Sequence, residues 1–155
     1  MTTKAVGYIR VSTDKQADKG MSIEVQRAKI EAYALALDVE LVDVIVDAGC
    51  SAKTLDRPGL QTALSMITGK KPVASALLVA KLDRLTRSVK DLAELMDSVF
   101  SKKATLLSVN DQIDTRTAAG RMVLNLIGTV AQWERETISE RTKAAMQHKK
   151  AKIGR

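Results

Sequence analysis

Residues 76–87, ALLVAKLDRLTR, place a continuous apolar run directly before a cluster of cations. A short apolar run without polar alternation reads as a strand covered on both faces, as in a parallel sheet layered between helices. The neighbouring segments fit that sheet. Residues 4–11, KAVGYIRV, and the valine-rich 39–47, VELVDVIVD, read as strands, and 104–110, ATLLSVN, as a fourth. Between them lie helical spacings. Residues 22–37 carry Ser22 as N-cap with Ile23, Ile30, Ala34 and Leu37 along one face. Pro58 suits a first helical turn, followed by Leu60, Leu64 and Ile67, with Gly69 as the stop. Val89, Leu92, Met96 and Val99 make a further stripe. Strand and helix alternate throughout, so the fold class is α/β: a mostly parallel, four- to five-stranded sheet flanked by helices.

After Ala118 the pattern changes to one long helix of roughly 30 residues, about 45 Å at 1.5 Å per residue. Its first half is apolar (Met122, Val123, Leu126, Ile127, Val130, Trp133) and its second half, through WERETISERTKAAMQHKK, is charged. A helix that starts apolar and ends charged leaves the core and offers surface to another subunit. The expected organisation is an α/β catalytic core over 1–115 and a long oligomerising helix over 116–155.

Composition narrows the chemistry. A chain of 155 residues suits one domain with its own core. No apolar run approaches a membrane span and no signal peptide opens the chain, so a cytoplasmic protein is the expectation. Cys50 is the only cysteine and reads as a small buried hydrophobe; it makes no disulfide and no cysteine-rich metal site. His148 is the only histidine and sits in the basic tail, which excludes a Ser-His-Asp triad and a histidine-based zinc site. The net charge is +7, and from Arg141 onward six basic residues meet no acidic one, which points to a polyanion such as nucleic acid. Aromatic residues are only 3%, too few for recognition by stacking on single-stranded bases.

In an open parallel sheet, ligand chemistry collects beyond the carboxyl ends of the strands. Those ends bring Arg10 and Ser12; then Asp47, Ser51 and Arg57; then Lys81, Asp83, Arg84 and Arg87; then Asn110, Asp111 and Asp114. Arg84 and Arg87 share a face if KLDRLTR starts a helix. Arginine suits several phosphate oxygens at once, so a serine among arginines points to phosphoryl transfer without metal or other cofactor. The bland alternative is that Asp83–Arg84 and Asp56–Arg57 merely tie loops together. GYIRVS lacks the glycine spacing of a nucleotide-binding turn.

YIRVSTDKQ (8–16), SIEVQ (22–26), the D-x-G-x-S of Asp47 to Ser51, RPGL (57–60), VAKLDRLTRS (79–88) and WERETISER (133–141) occur in order. Together they resemble the catalytic domain of serine site-specific recombinases, the resolvase, invertase and large integrase group. The resemblance implies that Ser12 attacks a DNA phosphodiester to form a 5′-phosphoserine link. Arg10, Arg84 and Arg87 would gather at the phosphate, supported by Tyr8, Gln26, Asp47, Ser51, Arg57 and Asp83. Glu134, Arg135, Arg141 and Lys143 would lie on the oligomer- and DNA-proximal helix. The implied partners are double-stranded DNA and further copies of the chain, a dimer that becomes a tetramer in synapsis, with no membrane. The resemblance also implies a DNA-binding domain beyond Arg155, so a catalytic fragment of a longer recombinase is expected. Two other readings stand beside it: a non-catalytic oligomerisation and DNA-binding remnant, and a small-molecule phosphatase. The loop after Ser12, residues 13–20, is expected to be mobile.

Overall fold

The computed structural model describes residues 2–12, 21–51, 54–100 and 104–153. The elements run β1 (Lys4–Val11), α1 (Ile23–Ala36), β2 (Glu40–Ala48), α2 (Pro58–Thr68), β3 (Ala76–Val79), α3 (Leu82–Leu85), α4 (Val89–Leu95), β4 (Thr105–Ser108), β5 (Ile113–Asp114) and α5 (Ala118–Ile153). The sheet order is β2-β1-β3-β4-β5. Strands β2, β1, β3 and β4 are parallel, and only β5 is antiparallel, against β4. The α/β fold expected from strand–helix alternation is the fold observed.

Side-chain alternation along the strands builds two core layers. Val6, Tyr8, Leu77, Val79 and Leu106 face α2, α4 and Leu124 of α5. Ala5, Ile9, Ala76, Leu78 and Leu107 face α1 through Ile30 and Ala34. All four residues of β3 are buried, as its unbroken apolar run requires. The Ser22 hydroxyl accepts the Val25 amide at 3.2 Å, so the expected cap is in place. Leu37 differs from expectation: it is the C-cap of α1 and over a third exposed, while Gln26 takes a buried place on that helix.

Three further expectations are corrected. The stripe from Val89 to Val99 does not run as one α-helix; α4 ends at Leu95 and continues as a π-helical turn over Met96–Phe100. Arg84 and Arg87 do not share a helix face, because α3 stops at Leu85 and Thr86 is extended (φ −162°, ψ 153°), leaving Arg84 buried and Arg87 exposed. Cys50 is half-buried rather than buried.

Helix α5 has 36 residues, longer than its sequence suggests, and spans about 54 Å at 1.5 Å per residue. It is seated at its start. Asp114 passes so close to Gly120 that a Cβ there would stand 2.0 Å from the Asp114 carbonyl oxygen. The Thr117 hydroxyl donates to that same carbonyl at 2.8 Å and accepts the Gly120 amide at 3.0 Å. Leu124 packs into the core and Ala131 is also buried, whereas Met122, Leu126, Val130 and Trp133 lie exposed.

Candidate active site

Arginines from three strand ends meet at the carboxyl edge of the sheet. Arg10 is in phase with Tyr8 on β1 and is 1% exposed. Its Nε donates to the Arg84 carbonyl (3.1 Å), Nη2 to the Asp83 carbonyl (3.1 Å) and Nη1 to the Cys50 carbonyl (3.0 Å). Arg84, 2% exposed, donates from Nη1 to the Arg10 carbonyl (3.1 Å) and from Nε to Asp83 Oδ1 (3.0 Å). Arg57 is equally buried just before α2. It donates from Nε to the Thr54 carbonyl (2.9 Å) and from Nη1 to the Tyr8 hydroxyl (2.9 Å) and the Arg84 carbonyl (3.1 Å). Its Nη2 reaches the Leu85 carbonyl. A buried guanidinium carries five donors that must all find acceptors. Carbonyls at strand ends and around a one-turn helix have no ladder partner, so they supply those acceptors.

Asp47, next to last in β2, organises the RPGL segment. Its Oδ1 accepts the Gly59 amide (2.8 Å), and its Oδ2 accepts the Leu60 amide (2.9 Å) and the Tyr8 hydroxyl (2.7 Å). These are the first amides of α2, which Pro58 opens and which has no side-chain cap of its own. A Cβ at position 59 would lie 2.5 Å from Asp47 Oδ1, so a larger residue there would displace that carboxylate. Burial, then the bond to Asp47, push the Tyr8 phenol well above its ordinary pKa, with Arg57 opposing. Tyr8 therefore stays protonated and acts as a donor.

Ser12 leaves a strand end that is held from several sides. The Val11 carbonyl accepts the Gly49 (2.8 Å) and Cys50 (3.2 Å) amides, a turn made with Gly49 at φ 76°. Gln26 clasps Arg10 from α1, with Nε2 donating to the Arg10 carbonyl at 3.0 Å and Oε1 accepting its amide at 3.4 Å. Ser12 is half-buried, and Ser51 is exposed just beyond the Gly49–Cys50 turn. Asp83 stands at the rim, with Lys81 Nζ 3.7 Å from its Oδ2. Arg87 is exposed past Thr86, and the loop 13–20 lies outside the described residues.

Tyr8, Arg10, Gln26, Asp47, Arg57, Asp83 and Arg84 thus form one bonded network beside Ser12. Asp83 and Arg84 pair as the loop-tying reading expects, but Arg57 turns to carbonyls and to Tyr8 rather than to Asp56. Glu134, Arg135, Arg141 and Lys143 are exposed on α5. Arg135 lines a cleft with Lys90, Glu94 and Asp97, away from this network. Among the described residues no three His, Cys, Asp or Glu side chains gather as a metal site. Sequence reasoning missed the part of Cys50, whose contribution is a carbonyl. It placed Asp111 at a strand end but gave it no task; its Oδ2 accepts the Leu82 amide at 2.8 Å. A backbone acceptor leaves no trace in residue type.

Residues 5–154 match the family model described as the resolvase N-terminal domain. The chain belongs to the resolvase family. It is 38% identical over 141 residues to the DNA-invertase hin of Salmonella typhimurium, covering 91% of this chain and 66% of that one. It is 34% identical over 159 residues to the serine recombinase gin of Escherichia phage Mu, covering 96% and 70%. A DNA-invertase of Escherichia phage P1 is 35% identical over 141 residues, covering 91% and 67%. The chain therefore spans about two thirds of the length of these relatives. Among solved structures, the N-terminal catalytic domain of TP901-1 integrase superposes with a TM-score of 0.78 at 39% identity, covering 87% of this chain and 98% of that one. A resolvase family site-specific recombinase from Streptococcus pneumoniae gives 0.76 at 29% identity, covering 96% and 98%. No helix among the described residues is long and apolar enough to cross a membrane.

Proposed function

We propose that this domain cleaves and rejoins double-stranded DNA in site-specific recombination, with Ser12 as the nucleophile. The observation that carries the reading is the convergence of Arg10, Arg57 and Arg84 from three strand ends beside Ser12, in a chain of the resolvase family. Ser12 Oγ attacks phosphorus and loses its proton. The P–O3′ bond breaks, the 3′-oxygen takes a proton, and the 5′-phosphate remains esterified to Ser12. Attack by a 3′-hydroxyl on that ester reverses the step and joins a new pair of ends. Ester is exchanged for ester, so the exchange needs no nucleotide cofactor. Buried cations beside the serine favour the extra negative charge of the transition state. Arg87 would meet the phosphate from the solvent side; its exposure past Thr86 supports that role. Tyr8, held protonated, is not the base that receives the Ser12 proton.

The assembly reading rests on α5. The exposed apolar stripe of Met122, Leu126, Val130 and Trp133 suits a second copy of the chain, and the basic end suits the DNA backbone. The test is to incubate the protein with supercoiled DNA carrying its site, quench with denaturant, and look for a protein–DNA adduct. Adduct from the parent and none from Ser12→Ala is expected. Equal adduct from Ser12→Ala would overturn the nucleophile assignment. No adduct from the parent at any concentration would favour a non-catalytic binding module.

A further inference from the structure

Helix α3, four residues long, carries Arg84, yet a single turn has almost no stability of its own. Its N-cap residue, Lys81, makes no side-chain cap. The missing acceptor comes from another part of the chain. Asp111, in the turn between β4 and β5, accepts the Leu82 amide on Oδ2 at 2.8 Å. The buried Ser108 hydroxyl donates to the same oxygen at 2.7 Å and aims it.

The turn itself is fastened on two sides. The Asn110 amide donates to the Ala80 carbonyl (2.9 Å) and the Val109 amide to the Val79 carbonyl (3.0 Å), closing β4 onto the end of β3. Lys29 Nζ of α1 donates to Asn110 Oδ1 at 3.0 Å. Gln112 then turns the chain with φ 53°. Asn110 and Asp111 therefore join α1, whose Gln26 clasps Arg10, to α3, whose Arg84 carbonyl receives both Arg10 and Arg57.

We infer that Asp111 is a positioning residue: its carboxylate caps α3 from the β4–β5 turn and so sets where Arg84 stands relative to Arg10 and Ser12. Its bearing on cleavage rests on the function proposed above, while its hold on α3 does not. Asp111→Ala removes the acceptor. Asp111→Asn keeps one side-chain oxygen that can take the Leu82 amide.

The readouts are hydrogen exchange at the Leu82 amide, the Arg84 Nε–H resonance, and the rate of DNA adduct formation. In Asp111→Ala, Leu82 exchange should rise roughly fivefold to tenfold, the effect of losing one helix cap. The Arg84 resonance should move, and adduct formation should fall about 10- to 100-fold, as expected for a displaced catalytic geometry. Asp111→Asn should restore all three. Ser108→Ala, which frees the carboxylate to swing, should shift the Arg84 resonance in the same direction and serves if Asp111→Ala does not fold. Unchanged Leu82 exchange and an unchanged Arg84 resonance in Asp111→Ala would overturn the inference. So would an Asp111→Asn protein as impaired as Asp111→Ala. If the parent forms no adduct, the recombinase reading fails, and the two spectroscopic readouts still decide for or against the clamp.

Discussion

Arg10 and Arg84 each donate a guanidinium N–H to the other's backbone carbonyl, both at 3.1 Å. The pair locks the end of β1 to α3 although both side chains are positive and both are buried. Carbonyl oxygens, with Asp83 at the rim, take up the donors, so the repulsion is offset by charge-assisted hydrogen bonds.

That reciprocity makes Arg84→Lys an informative substitution. Lysine keeps the charge but loses the planar fork, so it cannot hold the Arg10 carbonyl and Asp83 Oδ1 together. The protein should still fold, with a stability loss of about 1–3 kcal/mol from the lost charge-assisted hydrogen bonds. Denaturant unfolding reads that loss, and adduct formation on DNA should fall steeply. Activity close to the parent would sink a role for the fork.

Tyr8→Phe tests the second bridge. The hydroxyl donates to Asp47 and accepts from Arg57, so its removal takes one bond from each of two buried charged partners, at about 1–3 kcal/mol. The pH dependence follows from the raised phenol pKa. The protonated form is the one bonded in the fold. Its contribution is fully present below the unfolded value of about 10 and is lost as pH rises through the higher folded value. Parent and Tyr8→Phe stabilities should therefore converge at strongly alkaline pH, which denaturation midpoints across an alkaline series would reveal.

Asp114 and Arg116 predict the acid limb. Arg116 forks onto Asp114, with Nε 2.9 Å from Oδ1 and Nη2 2.8 Å from Oδ2, and holds that carboxyl below its ordinary pKa. A depressed carboxylate stabilises above its unfolded value of about 3.9, and that contribution is lost as pH falls through the folded value. Arg116→Ala should lower stability at neutral pH by a small amount and flatten the acid limb. An identical acid profile in the two proteins would show that the pair contributes nothing.

The stripe on α5 predicts self-association. Met122, Leu126, Val130 and Trp133 recur at helical spacing away from the buried Leu124 and Ala131. Sedimentation should show a concentration-dependent dimer, with the emission of Trp133, the only tryptophan, moving to the blue as it forms. Leu126→Glu should leave the monomer folded and abolish both changes.

Much of this was legible in the sequence because it depends on short-range rules. The unbroken run ALLV, the alternation in KAVGYIRV and the Ser22 cap specify strands and a helix by local periodicity and hydrogen bonding. Those elements in that order require a mostly parallel sheet, and a parallel sheet puts Arg10, Arg57 and Arg84 on one edge. What the residue types alone did not carry is where each guanidinium points. The fork of Arg10 ends on carbonyls of Cys50, Asp83 and Arg84, and every residue has a carbonyl. The single turn α3 begins on a bond to Asp111, a residue 29 positions away from Leu82, and ends at Leu85 where Thr86 turns extended, which separates Arg84 from Arg87. Periodicity within the chain determined the elements and the edge where they converge. Long-range acceptors, which exist only once the strands are side by side, decided which cations became the buried frame and left Arg87 facing solvent.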